Sequence, residues 1–233
     1  MAAVMGHSYA FGEGHGSLDA ADAENQAIKE RAKAFYKGVV HEIEQERFDR
    51  DRTIPGRPKA EALASPLPPD CRLRTLRART DKPLLDYAGT GMADGYIEVV
   101  SGRLRAILEG AGEAGLFWPV EVLHPDGRVA EGAWFAWQVT AVLDAIDPES
   151  EGFIVERRPW ADAHTYTHRS GVPATGAEAR AQMRVRREVI AGHAAWHEMR
   201  YQHQFTVLSD AAVEAANAAG VQGWEMRLEM GEV

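Results

Sequence analysis

The densest run of side chains able to do chemistry is His193-Ala-Ala-Trp-His197-Glu198-Met-Arg-Tyr-Gln-His203. A helix over residues 190–200 would bring His193 and His197 onto one face at i, i+4, a spacing that lets two imidazoles share a metal ion. His203 would then be a third ligand and Glu198 a general base, the set of a metal-dependent hydrolase. The order of residues argues against it. Zinc hydrolases of this type place the glutamate directly after the first histidine, whereas here it follows the second, and Gly192 weakens the helix. The expectation is histidines at the surface or core edge and no bound metal, with the hydrolase as the alternative reading. Asp144 and Asp147 resemble a carboxylate pair, but Pro148 makes Asp147 a turn-capping residue. Ser101 and Ser209 lack the Gly-x-Ser-x-Gly setting of a nucleophile elbow. Cys71 precedes an arginine-rich stretch without a fixed histidine partner. With no cofactor motif either, no catalytic, cofactor-binding or metal residue is assigned, and a binding protein is expected rather than an enzyme.

A second candidate works through charge. Glu42, Glu44, Glu46, Asp49 and Asp51 fall in one short segment of a chain whose net charge is −9. Arg47, Arg50 and Arg52 interleave with them, so mutual satisfaction on a solvated face competes with steering of a basic partner. The acidic balance opposes direct nucleic-acid binding, because phosphates meet a field of the same sign.

The elements that must position these groups are read from pattern. The chain has 233 residues, 45% hydrophobic and 26% charged, which fits one main domain plus a tail. One cysteine excludes an internal disulfide, no apolar run is long enough for a bilayer, and the start lacks the basic region of a signal peptide. A reducing, cytoplasmic setting is expected. Residues 1–16, rich in glycine and histidine, read as a mobile terminus. Ser17 or Asp19 should cap a helix from about Leu18 to Tyr36, interrupted at Gly38. The prolines between 55 and 69 mark 53–70 as a connector. This divides the chain into an N-terminal helical arm with its connector over 1–70 and a core over 71–233. In the core, 72–79, 96–100, 116–123, 133–139, 153–156, 204–207 and 223–229 read as strands, 101–111, 179–190 and 209–219 as helices, and 160–177 as irregular. The mixed order gives an α+β fold.

An ungapped self-similarity at an offset of 108 residues ties two parts of that core together. Val99/Val207, Ser101/Ser209, Ala111/Ala219, Gly112/Gly220, Gly115/Gly223 and Glu121/Glu229 coincide. Each copy reads as strand, serine N-cap, short helix, glycine stop, second glycine and outgoing strand. Backbone needs alone explain these choices, so the repeat speaks of architecture and not of a site.

From Pro83 onward the chain resembles the bacterial polymorphic-toxin immunity proteins, family eleven. Val100-Ser-Gly-Arg-Leu-Arg-Ala-Ile-Leu-Glu109 matches that family's V-S-x-R-L-x-x-x-L-E helix entry, and Phe117-Trp-Pro-Val-Glu-Val122 its F-x-P-V-x-V strand. Ala133-Trp-Phe-Ala-Trp137, Ala145-Ile-Asp147, Val207-Leu-Ser-Asp210 and Ala219-Gly-Val-Gln-Gly223 continue the likeness over roughly residues 83–229. The resemblance implies a non-enzymatic inhibitor, encoded beside a toxin, that binds it and protects the producing cell. It names no catalytic residue. Immunity proteins often cover the basic active site of a nuclease with an acidic surface, which the net charge of −9 suits.

Overall fold

The computed structural model describes residues 2–7, 18–50, 57–89, 97–158, 163–200 and 206–233. The elements run β1 Ala2–His7, β2 Leu18–Ala20, α1 Ala23–Arg50, α2 Arg57–Ala64, β3 Thr75–Ala78, β4 Tyr87–Gly89, β5 Glu98–Ser101, α3 Gly102–Ala111, β6 Leu116–Leu123 and β7 Trp134–Gln138. They continue with β8 Val142–Leu143, β9 Phe153–Arg158, β10 Ala163–His168, α4 Ala177–Gln182, β11 Arg184–Val185, α5 Arg187–Ile190, β12 Ala195–Glu198, β13 Thr206–Leu208, α6 Asp210–Ala218 and β14 Trp224–Glu232. The fold is α+β, as the mixed order of elements leads one to expect.

Two six-stranded sheets carry the molecule, in the orders β2-β3-β6-β7-β5-β4 and β11-β14-β1-β13-β12-β8, and β9 and β10 form a separate hairpin. Five strands of each sheet share one plan. In the first, β5 crosses through α3 to β6, with β7 between them and antiparallel to both. In the second, β13 crosses through α6 to β14, with β1 between them and antiparallel to both. Outside them lie a parallel strand (β3 or β11) and an antiparallel one (β4 or β12). Tyr87 stands opposite Val100, and 108 residues further on Ala195 stands opposite Leu208.

The helix ends show why the sequence turns where it does. The Ser101 hydroxyl accepts the Leu104 N–H at 3.2 Å and the Ser209 hydroxyl the Ala212 N–H at 3.4 Å, each satisfying an otherwise unpaired first-turn donor. Gly115 and Gly223, at φ +100° and +97°, then press against strand backbone; a Cβ would sit 2.2 Å from the Gln138 carbonyl oxygen in one case and 2.3 Å from that of Tyr87 in the other. Only glycine fits such an approach.

Three hydrophobic layers follow from strand alternation. Val100, Trp137, Leu104 and Leu108 join Leu208, Ala212, Val213 and Ala216 in a central layer, where α3 and α6 lie together. Val99, Trp118, Ala136 and Val122 face the other way, onto Ile28, Ala32 and Tyr36 of α1. Val207, Trp196, Leu228 and Met230 face a third layer with Phe153, Tyr166, Ala179 and Met183. In β14 the pairing slips by one residue, Val4 opposite Leu228 and Met5 opposite Met226. That bulge at position 227 turns Met226 toward the central layer although Leu228 faces away from it.

Several expectations for the N-terminal part are corrected. Residues 2–7 form a central strand rather than a mobile end, since a ladder on each side holds their backbone. Leu18 begins β2 and not a helix. Helix α1 starts at Ala23, with the Asp22 carboxylate accepting the Asn25 N–H at 2.8 Å as the cap, and runs through Gly38 to Arg50. The expected cap at Ser17 lies outside the described residues. Within the proline-rich connector, α2 forms because Pro58 falls in the first turn, where its missing N–H is not needed, and Pro66 comes after the end. One core crosses the expected junction at residue 70, with Leu18, Ile28, Leu67, Leu73 and Leu76 in the same cluster. Gln138 of β7 reinforces it, donating to the Leu63 and Ser65 carbonyls and the Tyr36 hydroxyl and accepting from Leu67 N–H. The irregular stretch 160–177 contains β10 and the start of α4, and the helix expected over 179–190 divides into the end of α4, then β11 and α5.

Candidate functional site

The histidine cluster is not a helical face. Residues 195–198 are strand β12, paired with β13 on one side and β8 on the other, so tertiary pairing overrides the i, i+4 reading. His193 sits in the turn before it, where Nδ1 approaches the Glu113 carboxylate at 3.5 Å. His197 is buried within the sheet, and its backbone N–H donates to Ala141 at 2.9 Å. His203 lies outside the described residues. Among the described residues no group of three or more His, Cys, Asp or Glu side chains could hold a metal.

Glu198, cast above as a general base, has another character. It follows His197 at the end of β12 and is buried. One carboxyl oxygen, Oε2, accepts the Ala145 N–H at 3.0 Å, and Oε1 has no hydrogen-bond partner among the described residues. Burial pushes its pKa from 4.5 to about 8, with Asp144 adding in the same direction against the Ala145 bond. At neutral pH it is a carboxylic acid. Around it, Arg200 Nε donates to Asp144 Oδ2 at 2.8 Å and Arg186 donates to the Asp144 carbonyl. Burial and the Asp144 charge likewise push the Tyr166 hydroxyl upward. The sequence offered Glu198 and Asp144 separately, as a general base and as half of a carboxylate pair, and gave no sign that they meet, because Asp144, Arg186 and Glu198 lie far apart along the chain.

A second ionic group joins the helices. Asp86 accepts from the Ser101 hydroxyl at 2.7 Å, from Gln222 N–H at 3.2 Å and from the Arg103 guanidinium. Arg103 reaches on to the Ala219 and Gly220 carbonyls at the end of α6, where a cation is favoured. Burial alone would raise the Asp86 pKa, but Arg103, Ser101 and the Gln222 N–H hold it below the usual carboxylate value. The Cys71 thiol is buried and pushed upward, the opposite of an activated nucleophile.

Of the acidic candidates, positions 42, 44, 46 and 49 lie on the helical backbone of α1, and Glu42 is exposed. The side chains of Glu44, Glu46 and Asp49, and all of Asp51, lie outside the described residues. No helix among the described residues is long and apolar enough to cross a membrane.

The fold and these groups define an α+β protein of two similarly ordered sheets, with His197 and Glu198 committed to strand and core. Its sequence places it more closely: the chain belongs to the immunity protein family (Imm11), whose model matches residues 18–228. Membership carries a toxin-neutralising role and binding of a cognate toxin, in a family that is generally non-enzymatic. No curated protein matches the chain.

Proposed function

We propose that this chain neutralises a toxin encoded by a neighbouring gene, binding it in the cytoplasm of the producing cell without catalysing a reaction. The toxin domain is basic and of nuclease type, and the chain itself makes no contact with nucleic acid or membrane. The family match over 18–228 carries this reading. The net charge of −9 supports the choice of a cationic partner. Glu42, Glu44, Glu46, Asp49 and Asp51 are the proposed contacts. Covering a nuclease's phosphate-binding surface with carboxylates needs no chemistry beyond the complex itself, since it denies the anionic substrate its docking charges.

Co-expression of the neighbouring toxin with and without this chain is the test, with rescue of growth and a purified complex expected. Unchanged toxicity with no complex would refute the assignment. In stopped-flow association at low salt, replacing the five acids by Gln or Asn should slow complex formation by about tenfold or more. Added salt should slow the native pair similarly, with a smaller effect on dissociation. An association rate indifferent to both would remove these residues from the interface.

A further inference from the structure

Strand β1 occupies an unusual place. In the first sheet the strand between the two parallel crossover strands is β7, which follows β6 directly in the chain. The same slot in the second sheet is filled by residues 2–7, which pair with strands about two hundred residues further on. The unit β12-β13-α6-β14 therefore builds a sheet with a gap, and β13 and β14, parallel to each other, meet only through β1. Without it, both would present unpaired backbone donors and acceptors in the middle of a sheet, above the layer of Val207, Leu228 and Met230.

We propose that the cleft between β13 and β14 is a strand-acceptor site, whose ligand is an extended segment of the sequence Ala2-Ala-Val-Met-Gly-His7, able to bind in trans as well as tethered. Its chemistry is main-chain hydrogen bonding on both sides, antiparallel to both neighbours. The register is defined on both sides: Ala3 faces Leu208 and Glu229, and Val4 faces Val207 and Leu228. Val4 is paired on both sides, so its N–H points at one neighbour or the other, and proline there removes a ladder bond whichever side it serves. The match to the family model begins at residue 18, so this strand lies outside what family membership describes.

The test uses the full chain and a fluorescent peptide of residues 1–8. In the Val4→Pro chain the tethered strand no longer competes, and the labelled peptide should bind about tenfold or more tightly than to the native chain. A Val4→Pro peptide should bind correspondingly less well. Should Val4→Pro prevent folding, a protease site inserted between residues 8 and 17 of the native chain carries the test. After cleavage of the folded protein, the short fragment should co-elute with the body and be exchanged by added peptide. Three results would overturn the proposal. They are release of the fragment on cleavage with the melting temperature unchanged, a retained fragment that added peptide never exchanges, and a scrambled peptide that binds as well as the native one.

Discussion

Replacing Glu198 with glutamine should stabilise this protein, and by an amount that depends on pH. The group has its ordinary pKa of 4.5 in the unfolded chain and about 8 when folded, because burial disfavours the carboxylate. Between those values the folded state holds a proton that the unfolded state has released. Stability therefore falls as pH rises through this window, by ~1.4 kcal/mol per pH unit for one proton. From pH 4.5 to pH 7 the accumulated loss is about 3 kcal/mol, and it levels off above about pH 8. Glutamine keeps the shape and the acceptor for Ala145 N–H but does not titrate. Urea unfolding of both proteins at pH 4.5, 6, 7 and 8.5 measures the difference, and other titrating groups cancel between them. The glutamine variant should gain on the native protein steadily to about pH 8 and stay ahead beyond it. A pH-independent difference, or one that shrinks as pH rises, would refute the assignment of a neutral buried acid.

Local backbone devices yield further predictions. Ser209→Ala should cost about 1 kcal/mol in urea unfolding through loss of a helix cap, and Ser101→Ala more, because its hydroxyl also donates to Asp86. Equal costs would argue against the Asp86 contribution. Gly223→Ala should lower stability by more than about 2 kcal/mol, since it combines positive φ with a 2.3 Å clash against the Tyr87 carbonyl oxygen. Gly127→Ala, also at positive φ but with nothing within 4 Å, should lose about 1 kcal/mol; similar thermal shifts for both would discount the clash.

What could be read from the sequence is what local chemistry decides. Ser101 and Ser209 announce helix starts because their hydroxyls answer donors three residues away, and Gly115 and Gly223 mark turns no other residue can make. The aromatic strand at Trp134–Gln138 was visible for the same reason, since its residues suit a sheet with a layer on each face. The failures involve partners distant in sequence. Six residues with a glycine and a histidine do not look like a central strand, and only β13 and β14 make β1 one. His193 and His197 have helical spacing, yet β8 and β13 claim the second for a sheet. Glu42 is exposed on α1, in keeping with its charged neighbours, while Glu198, whose pKa burial raises, stood in a segment with no alternation to betray its burial.

The two sheets share a backbone plan but not its side-chain ties, and this asymmetry can be measured. Asp86 and Arg103 join the start of α3 to the end of α6, and the positions 108 residues later are Ala194 and Ala211, which can form no such pair. At that other junction backbone hydrogen bonds stand beside the His193–Glu113 contact, with Glu113 N–H donating to Gly192 and Ala194 N–H to Glu113. The ionic junction should therefore be sensitive on one side. Arg103 is 51% exposed, and Arg103→Ala leaves Asp86 with Ser101 and Gln222, so the loss should be small, as for other solvent-screened ion pairs. Asp86 is 14% exposed, and Asp86→Ala deprives Gln222 N–H, the Ser101 hydroxyl and the guanidinium of their acceptor at once, for a loss of about 2–3 kcal/mol. A double-mutant cycle in urea separates the pair from the rest. If Asp86→Ala costs no more than Arg103→Ala, the carboxylate contributes only through its partner cation, and the junction is held by backbone on both sides.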